Sequence, residues 1–399
     1  MLGRLKLLAP FTVALAIAGC NAGGPSVPVM TEQYASQSYP APQWQVRHLA
    51  HRACPEALPG KAQCELLILN KSPQDKELGW GARDIEAAYN LPSSSKGSGQ
   101  IVAIVDAYDN PNVASDLAMY RRHYGLPKAK LYKYNEDGQQ SHYPKGNMSW
   151  GKEIDLDVEM VSASCPNCTI YLIEANTFDI ANLDKAEAAA VTLGAHITTN
   201  SWLCHPITSC LDQNDFDTPG VTYVANAWDD AYGVGAPMAF PTVVSVGGTI
   251  LSRSGSIYAE VVWSDTGGGC AMNVAKPSWQ HDPGCSGRTT NDVAAVAWNV
   301  ASYDTYGVGG WYAAGGTSVA SPIVAGVFAL AGNAAKQDGG KILWTVSKKK
   351  QEGLHVISSG SNDCPRRLRG SYLCTAGTDE FGTYSGPTGW GTPSGIGAF

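Results

Sequence analysis

Five apolar runs of strand length, separated by helix-like stretches, constrain the fold of this chain more than any other feature. The runs are 99–107, 168–175, 195–202, 220–227 and 241–248, and the helix-like stretches are 112–124, 152–164 and 182–193. Continuous apolar strands that alternate with helices are typical of a parallel sheet covered on both faces. The sequence therefore predicts an α/β fold with a doubly wound, mostly parallel sheet flanked by helices. At 399 residues, 44% of them hydrophobic, the chain can bury a large core.

The first twenty residues have the layout of an export signal. Arg4 and Lys6 precede an apolar run that is too short to span a bilayer, and small residues follow it. The end of this stretch, "IAGC", resembles a bacterial lipobox, in which the cysteine is lipidated and becomes the first residue of the mature chain. We interpret residues 1–19 as a signal peptide and Cys20 as the lipidation site. An ordinary signal peptide with an incidental cysteine is the alternative.

Cysteine usage agrees with export. The chain has eleven cysteines, and removing Cys20 leaves ten, which can pair completely as local couples in an oxidising compartment. The predicted disulfides are Cys54–Cys64, Cys165–Cys168, Cys204–Cys210, Cys270–Cys285 and Cys364–Cys374. The "CPNC" at 165–168 also fits a thiol redox motif or half of a zinc site, but no second C-x-x-C or nearby histidine pair completes a metal site.

Charge and composition bound the partners and the domain organisation. The formal net charge of -7 comes without a basic stripe, which argues against nucleic acid as a partner. Residues 20–46 are rich in Gly, Pro, Ser and Gln and are predicted to form a flexible tether. A small cysteine-bearing segment, 47–77, precedes the main domain, 78–399. We expect an exported protein, held in the bacterial cell envelope by a lipid on Cys20 or released outside the cell.

Ser318 stands where a glycine-rich turn enters an apolar helix, in "GGTSVASP". Pro322 is tolerated only in a first helical turn, so the helix is expected to begin near Ser318. A serine there lies beside free backbone N–H groups and the positive end of the helix dipole, which together can form an oxyanion hole. Ser318 is therefore a candidate nucleophile, although spacing alone favours a helix N-cap serine. The G-x-S-x-G pattern of lipase-type nucleophiles is absent.

A nucleophilic serine needs a base, and none of the eight histidines has the sequence context of one. Glu153 and Asp157, in "WGKEIDLDVEM", are better candidates because they lie one helical turn apart within the apolar arc of the predicted helix. Asp155 and Glu159 have the same spacing on the opposite side and are expected to face water. Two carboxyl groups on a buried face are expected to share a proton and to titrate abnormally. The alternative, acids favoured in a first helical turn by the dipole, explains Glu153 better than Asp157.

Three separated motifs carry a family resemblance: "EIDLD", "GVTYVANAWDDAYG" and "GGTSVASP", in this order. Together with "AAYNLP", "SVGGT" and "GPTGWGTP", they make residues 78–399 resemble the sedolisin family of serine-carboxyl peptidases. The resemblance implies a subtilisin-like fold. It also implies an endopeptidase that hydrolyses protein or peptide substrates with an acidic optimum and needs no cofactor for the chemistry. The export signal and the lipobox would make this endopeptidase secreted or lipid-anchored.

The resemblance assigns roles to individual residues. It makes Ser318 the nucleophile, Glu153 its general base and Asp157 the group that orients Glu153. Asp229 matches an aspartate that donates a hydrogen bond to the oxyanion, for which burial must keep its carboxyl protonated. Its neighbour Asp230 is the less favoured match, and a turn residue is its alternative role.

The family's calcium site is only partly matched. The resemblance implies glycine carbonyl ligands and two aspartates. Gly389 and Gly391 fit the glycines, whereas Val356 and Pro393 stand where the aspartates are expected. Calcium is bound by oxygen ligands, and both carboxylates are missing from this ligand set. Calcium would have to bind through the backbone oxygens of Val356, Gly389 and Gly391.

Two other classes of function remain as alternatives. Trp228 stands where the family has a small residue, and its ring would narrow the substrate channel or displace Asp229, which favours a weakened or inactive surface binding protein on the same fold. A binding protein has no need to keep four polar groups that are costly to bury, and this argues against that interpretation. The four groups are those of Glu153, Asp157, Asp229 and Ser318. A glycoside hydrolase would use Glu153 and Asp157, but carboxyl groups one helical turn apart lie too close to flank a sugar bond.

Overall fold

The secondary structure is taken from a computed structural model, which describes residues 49–70, 76–210, 212–336, 338–345, 353–378 and 380–399. The strands, in chain order, are β1 (Ala50–Arg52), β2 (Ala62–Cys64), β3 (Leu67–Leu69), β4 (Ile101–Ala107), β5 (Lys130–Asn135), β6 (Thr169–Ala175), β7 (Ile197–Asn200), β8 (Trp202–Cys204), β9 (Thr222–Asn226), β10 (Val243–Ser254), β11 (Ile257–Val262), β12 (Gly269–Ala275), β13 (Gly287–Thr290), β14 (Val293–Val296), β15 (Trp298–Asp304), β16 (Gly310–Gly315), β17 (Leu354–His355) and β18 (Thr392–Pro393). The α-helices are α1 (Ala82–Ala88), α2 (Val113–Tyr124), α3 (Met148–Ser164), α4 (Ile180–Thr192), α5 (Thr317–Ala331) and α6 (Lys341–Thr345).

The predicted export features lie outside the described residues. These are the signal peptide, the lipidation site Cys20 and the tether. Within the part of the chain that the structure describes, no helix combines the length and the apolar composition needed to cross a membrane.

A large, mainly parallel sheet forms the centre of the fold, as the sequence predicts. Its strand order is β11-β10-β9-β7-β4-β6-β5, and β14 pairs with β10. Each pair is parallel except β10 with β11. The five predicted apolar runs supply β4, β6, β7, β9 and the first half of β10. The edge strands β5 and β11, which are less apolar, are not apparent from the sequence.

Helices cover both faces of this sheet. Val102 and Ile104 of β4 belong to one core together with α3 and α5, whereas Ala103 and Val105 belong to a second core together with α4. Successive side chains of a strand point to opposite faces, so β4 contributes to both cores. Because these strands are buried on both faces, the five sequence runs that form them are continuously apolar.

Helix α3 begins earlier and is buried more completely than the sequence suggests. The Asn147 side chain caps it by accepting hydrogen bonds from the backbone of Ser149 and Trp150, so Glu153 lies in the second turn and not the first. Asp155 and Glu159, which were expected to face water, are fully buried. That expectation was wrong because α2, α5 and β15 pack around α3 and leave it without a solvent face.

The segment before the main domain is built into the fold. β1 and β3 join β16 and β15 in a four-stranded sheet, and β2 pairs with β8. The structure joins the cysteines as Cys54–Cys64, Cys165–Cys168, Cys204–Cys210, Cys270–Cys285 and Cys364–Cys374.

Truncating a side chain at the centre of the sheet should destabilise the whole domain. Ile104 of β4 has no solvent exposure, and the change Ile104→Ala should lower the free energy of unfolding by about 2–5 kcal/mol through lost burial and a residual cavity. Ile257, which is 50% exposed, provides the matched control, and its replacement by alanine should cost less than about 1 kcal/mol. Denaturant unfolding measures both, and equal losses would contradict this placement of β4.

Candidate active site

Ser318 lies in the first turn of α5, directly after β16 and the turn at Gly316. Gly316 has a φ of +109°, and an added Cβ would meet the Glu65 carbonyl oxygen and Asp229, so only glycine fits there. The buried Ser318 hydroxyl donates a long hydrogen bond of 3.4 Å to the Ser201 carbonyl oxygen. Pro322 lies in the second turn, one turn later than expected. Its missing N–H frees the Ser318 carbonyl oxygen, which the Ser201 hydroxyl approaches at 3.5 Å.

The two predicted acids of α3 reach the same place. Glu153 Oε2 accepts a hydrogen bond of 2.9 Å from the Leu66 N–H, and Asp157 Oδ1 accepts one of 2.8 Å from the Ser201 hydroxyl. Glu153 Oε1 and Asp157 Oδ2 have no hydrogen-bond partner among the described residues. Ser201 therefore contacts both Asp157 and Ser318, and it links the acids to the predicted nucleophile.

Burial dominates the titration of both acids. It raises the pKa of Glu153 well above its usual value, and Asp106 adds to the rise, whereas the Ser318 hydroxyl and the Leu66 N–H oppose it. Burial likewise raises the pKa of Asp157, and the nearby carboxyl groups of Asp106 and Glu153 raise it further. A low-dielectric site disfavours several negative charges, so these carboxyl groups release their protons at higher pH than exposed acids do.

Asp106 is a third carboxyl group of this cluster, and it is not among the site residues predicted from the sequence. It lies near the carboxyl end of β4, fully buried, and neither of its oxygens has a hydrogen-bond partner within the described ranges. Burial raises its pKa to about 8. The sequence does contain a signal for Asp106, which is an acid near the end of an apolar strand. Ligands of α/β sheets bind at the carboxyl ends of the strands, so such an acid is a candidate site residue.

Asp229 approaches the start of α5 from the loop after β9. Its Oδ1 accepts hydrogen bonds from the Thr317 N–H at 2.9 Å and the Thr317 hydroxyl at 2.7 Å. Its Oδ2 has no partner in the described part of the chain. Burial raises the pKa of Asp229 well above its usual value, Glu65 adds to the rise, and Thr317 and Arg52 oppose it. A protonated Oδ2 can therefore donate a hydrogen bond beside Ser318.

Trp228 does not displace Asp229. Its indole N–H donates to Asp230 at 2.8 Å, and its ring packs against His205 with centroids 4.6 Å apart. Asp230 also pairs with Arg52 at 2.6 Å and lies at the surface, so Asp230 has a surface role and does not reach Ser318. The Trp228 ring lines a cavity of about 380 Å³ together with Glu65, His205 and Asp230.

The residues at the expected calcium position do not fit a calcium site. The Gly389 carbonyl oxygen accepts the Ser385 N–H at 3.0 Å, and the Gly391 carbonyl oxygen accepts the Ala294 N–H at 2.9 Å. Pro393 forms part of β18, which pairs with β17. Val356 is half-exposed and offers no side-chain oxygen. The two carbonyl oxygens are thus used within the fold, and Val356 and Pro393 supply no carboxylate.

A group of acids elsewhere has the spacing of metal ligands. Asp116, Asp155 and Asp304 are buried, and one oxygen of each lies within 4.8 Å of the others. Asp116 accepts hydrogen bonds from Thr305, and Asp304 accepts them from the backbone that follows it. These bonds give two of the three acids a structural role, in which they fix the turn after β15 against α2.

Comparison with known proteins identifies relatives by sequence. No protein-family model matches the chain. Kumamolisin from Bacillus sp. (strain MN-32) is 29% identical over 358 residues, which cover 78% of this chain and 62% of that protein. Sedolisin from Pseudomonas sp. (strain 101) is 32% identical over 178 residues, or 40% of this chain and 29% of that protein. Xanthomonalisin from Xanthomonas sp. (strain T-22) is 30% identical over 199 residues, or 42% of this chain and 24% of that protein.

The fold is also similar to a solved structure. Pseudomonas sedolisin, a serine-carboxyl proteinase complexed with two molecules of pseudo-iodotyrostatin, matches with a TM-score of 0.67 and 22% identity. The match covers 80% of this chain and 96% of that one. Against the full-length curated relatives, the chain spans about three fifths of kumamolisin and less than a third of the other two.

Buried acids outside the site should make the fold less stable as the pH rises. Burial raises the pKa of Glu187, on α4, from 4.5 to about 7. A raised pKa in the folded state means that stability is fully present at acid pH and is lost as the pH rises through the folded pKa. Wild type and Glu187→Gln should therefore melt alike near pH 4, whereas the variant should be more stable by about 3 kcal/mol near pH 9.

Thermal and denaturant unfolding between these pH values measure the effect. The control is Asp338→Asn, whose carboxyl is largely exposed and which should melt like wild type throughout. If Glu187→Gln and wild type lose stability in parallel as the pH rises, Glu187 does not have the raised pKa.

Proposed function

The chain belongs to the sedolisin family, as its motifs predict, and from that premise we propose that it is a serine-carboxyl endopeptidase. The observation that carries the proposal is the meeting of Ser318, Glu153, Asp157 and Asp229, which come from α5, α3 and the loop after β9, in one buried cluster. Burial of so many polar groups is costly, and a binding protein has no use for this arrangement.

The proposed reaction begins with Ser318. Its hydroxyl attacks the carbonyl carbon of the substrate while Glu153 takes the proton as general base. Asp157 acts through Glu153, since it shares the charge and the protons of the pair and is itself held by Ser201. Glu153 then gives the proton to the leaving nitrogen, and water hydrolyses the acyl-enzyme. No metal or other cofactor takes part in these steps.

The proposed oxyanion hole sets the pH dependence. Asp229 Oδ2 donates a hydrogen bond to the developing oxyanion, which requires a neutral carboxyl group. The raised pKa of Asp229 supports this role, and deprotonation at higher pH removes the donor. The enzyme is therefore proposed to work best in acid, where Asp229 is neutral and the Glu153–Asp157 pair holds a single proton, so that one carboxylate remains to act as the base.

The proposed organisation and location follow the sequence. Residues 1–19 form the signal peptide, 20–46 the lipidated cysteine and tether, 47–77 the small segment and 78–399 the peptidase domain. The five disulfides support an oxidising compartment outside the cytoplasm. The substrates are proteins or peptides, and a lipid on Cys20 is proposed to attach the enzyme to the membrane.

Matched variants of neighbouring residues test the catalytic assignment. After incubation at acid pH, Ser318→Ala and Glu153→Gln should each slow casein digestion by about a thousandfold or more. The controls are Ser321→Ala, on the same helix, and Glu159→Gln, which is equally buried on α3. Both should retain activity within about tenfold of wild type once folding is confirmed.

Asp157→Asn, with Asp155→Asn as its control, extends the comparison. We expect a loss of activity in the first variant only, because Asp155 faces Asn110 and not the Ser318 side of the helix. If wild type and the Ser318→Ala and Glu153→Gln variants cleave equally, the peptidase proposal fails.

Replacing the Asp229 carboxyl group by an amide should give an oxyanion donor that does not titrate. The side-chain amide that Asp229→Asn introduces keeps an N–H donor at every pH, so the alkaline fall in activity should move upward by at least about one pH unit even if the maximal rate falls. Asp230→Asn changes an exposed neighbour and should leave the profile unchanged. A wild-type profile with its maximum near pH 8 would contradict the role of a neutral Asp229.

A further inference from the structure

A disulfide-closed loop near the end of the chain carries three arginines within four positions. Its sequence, "CPRRLRGSYLC", spans residues 364–374, and the bond Cys364–Cys374 closes it. We call this segment the arginine loop. Arg366, Arg367 and Arg369 are all exposed on it. The loop is therefore a local concentration of positive charge in a chain whose formal net charge is -7.

The base of the arginine loop is fixed to the domain, whereas its tip lies at the surface. Tyr372 is buried with Leu373, and its hydroxyl donates a hydrogen bond of 2.7 Å to Asp282 and accepts one of 2.6 Å from the Gly284 N–H. The turn Arg366–Leu368 contains no buried residue. The domain thus presents the arginines on a fixed support, so less backbone freedom is lost when they bind a partner.

The arginines of the loop are available to an external anion. Arg369 lies 3.7 Å from Asp363, but both side chains are mostly exposed, so this ion pair is weak. Within the residues that the structure describes, the side chains of Arg366 and Arg367 make no hydrogen bond and no ion pair. A guanidinium group has five N–H donors in a planar fork that matches a carboxylate. Two such groups therefore have their donors unused.

The arginine loop adjoins the segment that carries the proposed oxyanion donor. The Tyr232 N–H donates a hydrogen bond of 3.2 Å to the carbonyl oxygen of Asp363, directly before the loop. Burial raises the pKa of Tyr232, and the Cys270 N–H and the charge of Arg367 oppose the rise, which is consistent with an Arg367 guanidinium near the Tyr232 side chain. Tyr232 follows Asp229 by three residues, so the loop borders the Asp229 side of the candidate site.

The separation fits the length of a bound peptide. Three residues of chain span at most about 11 Å, which limits the distance between the Cα atoms of Asp229 and Tyr232. An extended substrate advances about 3.3 Å per residue. A substrate side chain two to four residues from the cleaved bond therefore lies about 7–13 Å from the reacting carbonyl group, which is the distance range of the arginine loop.

We propose that the arginine loop selects substrates that carry an aspartate or glutamate a few residues from the cleaved bond. Arg366 and Arg367 bind this carboxylate through charge-assisted hydrogen bonds. The inference rests on the proposed peptidase function and adds a substrate class to it. An anionic lipid surface would also attract arginines, but the position of the loop beside the Asp229 segment favours the substrate.

Matched peptides test the preference. Each peptide has the same cleaved bond and one glutamate, placed two to four residues away on either side, and is compared with its glutamine counterpart at about pH 5, where an ordinary glutamate is mostly ionised. We expect wild type to cleave at least one glutamate peptide with a kcat/KM about three- to tenfold higher, because exposed ion pairs contribute modestly. The gain should lie mainly in KM, since a remote ion pair holds substrate and transition state alike. It should shrink as the salt concentration rises from about 0.02 M to about 0.5 M.

Paired substitutions assign the preference to the loop. The double variant Arg366→Gln/Arg367→Gln should cleave the glutamate and glutamine peptides with equal kcat/KM, and Arg366→Glu/Arg367→Glu should prefer the glutamine peptide. The control, Arg253→Gln/Lys185→Gln, removes two exposed positive charges elsewhere and should keep the wild-type preference. Thermal melting checks that all variants are folded, which is expected because every substituted side chain is exposed.

The outcomes separate this inference from the function on which it rests. A wild type that cleaves every glutamate peptide and its glutamine counterpart alike overturns the selection and leaves the peptidase function standing. A preference that survives Arg366→Gln/Arg367→Gln also overturns it. A folded wild type that cleaves none of the peptides overturns the peptidase function, and this inference with it.

Vesicles test the membrane as the alternative partner. Wild type and Arg366→Gln/Arg367→Gln are sedimented with vesicles of phosphatidylcholine, with and without about one third phosphatidylglycerol. We expect the two proteins to sediment alike, because the loop serves the substrate. Binding to the anionic vesicles that the double variant loses, together with equal cleavage of the glutamate and glutamine peptides, assigns the loop to a lipid surface and overturns the proposal.

Discussion

The burial of carboxyl groups around α3 is the constraint on which the rest of the structure depends. Glu153, Asp157 and Asp106 are fully buried, and the partners that the structure gives to the first two are N–H and hydroxyl groups. A low-dielectric interior does not sustain three adjacent negative charges, so protons stay bound. The same retained protons are expected to favour the folded state in acid and to take part in the proposed chemistry. The proposed acid activity and the predicted acid stability would thus have one physical cause.

The strand and helix framework could be predicted because it depends on local pattern. Continuous apolar runs located the five central strands, and the start of the apolar run after the glycine-rich turn placed the start of α5 within a residue of Ser318, although Pro322 lies in the second turn and not the first. The exposure of α3 could not be predicted in this way. A helical wheel assumes one solvent face, but β15, which follows α3 by more than a hundred residues, packs on the face that carries Glu159 and donates to it from Ser302 and Tyr303.

The candidate site was predicted unevenly for a similar reason. Local sequence pattern made Glu153 and Ser318 candidates, the family resemblance assigned their roles, and the structure brings them together. Asp106 and Leu66 lie outside the motifs that carry the resemblance, and their place at the site depends on the way the parallel sheet and the N-terminal segment meet. The Trp228 ring turns to Asp230 and leaves Asp229 in contact with Thr317, so the displacement of Asp229 that its bulk suggested does not occur.

The covalent continuity of the N-terminal segment with the rest of the chain bears on the candidate site. The Leu66 N–H contacts Glu153, and the Glu65 carbonyl oxygen lies beside Gly316, so this segment occupies part of the space at the start of α5. A strand of the same polypeptide keeps a constant effective concentration there in any volume, whereas a separate ligand is lost on dilution.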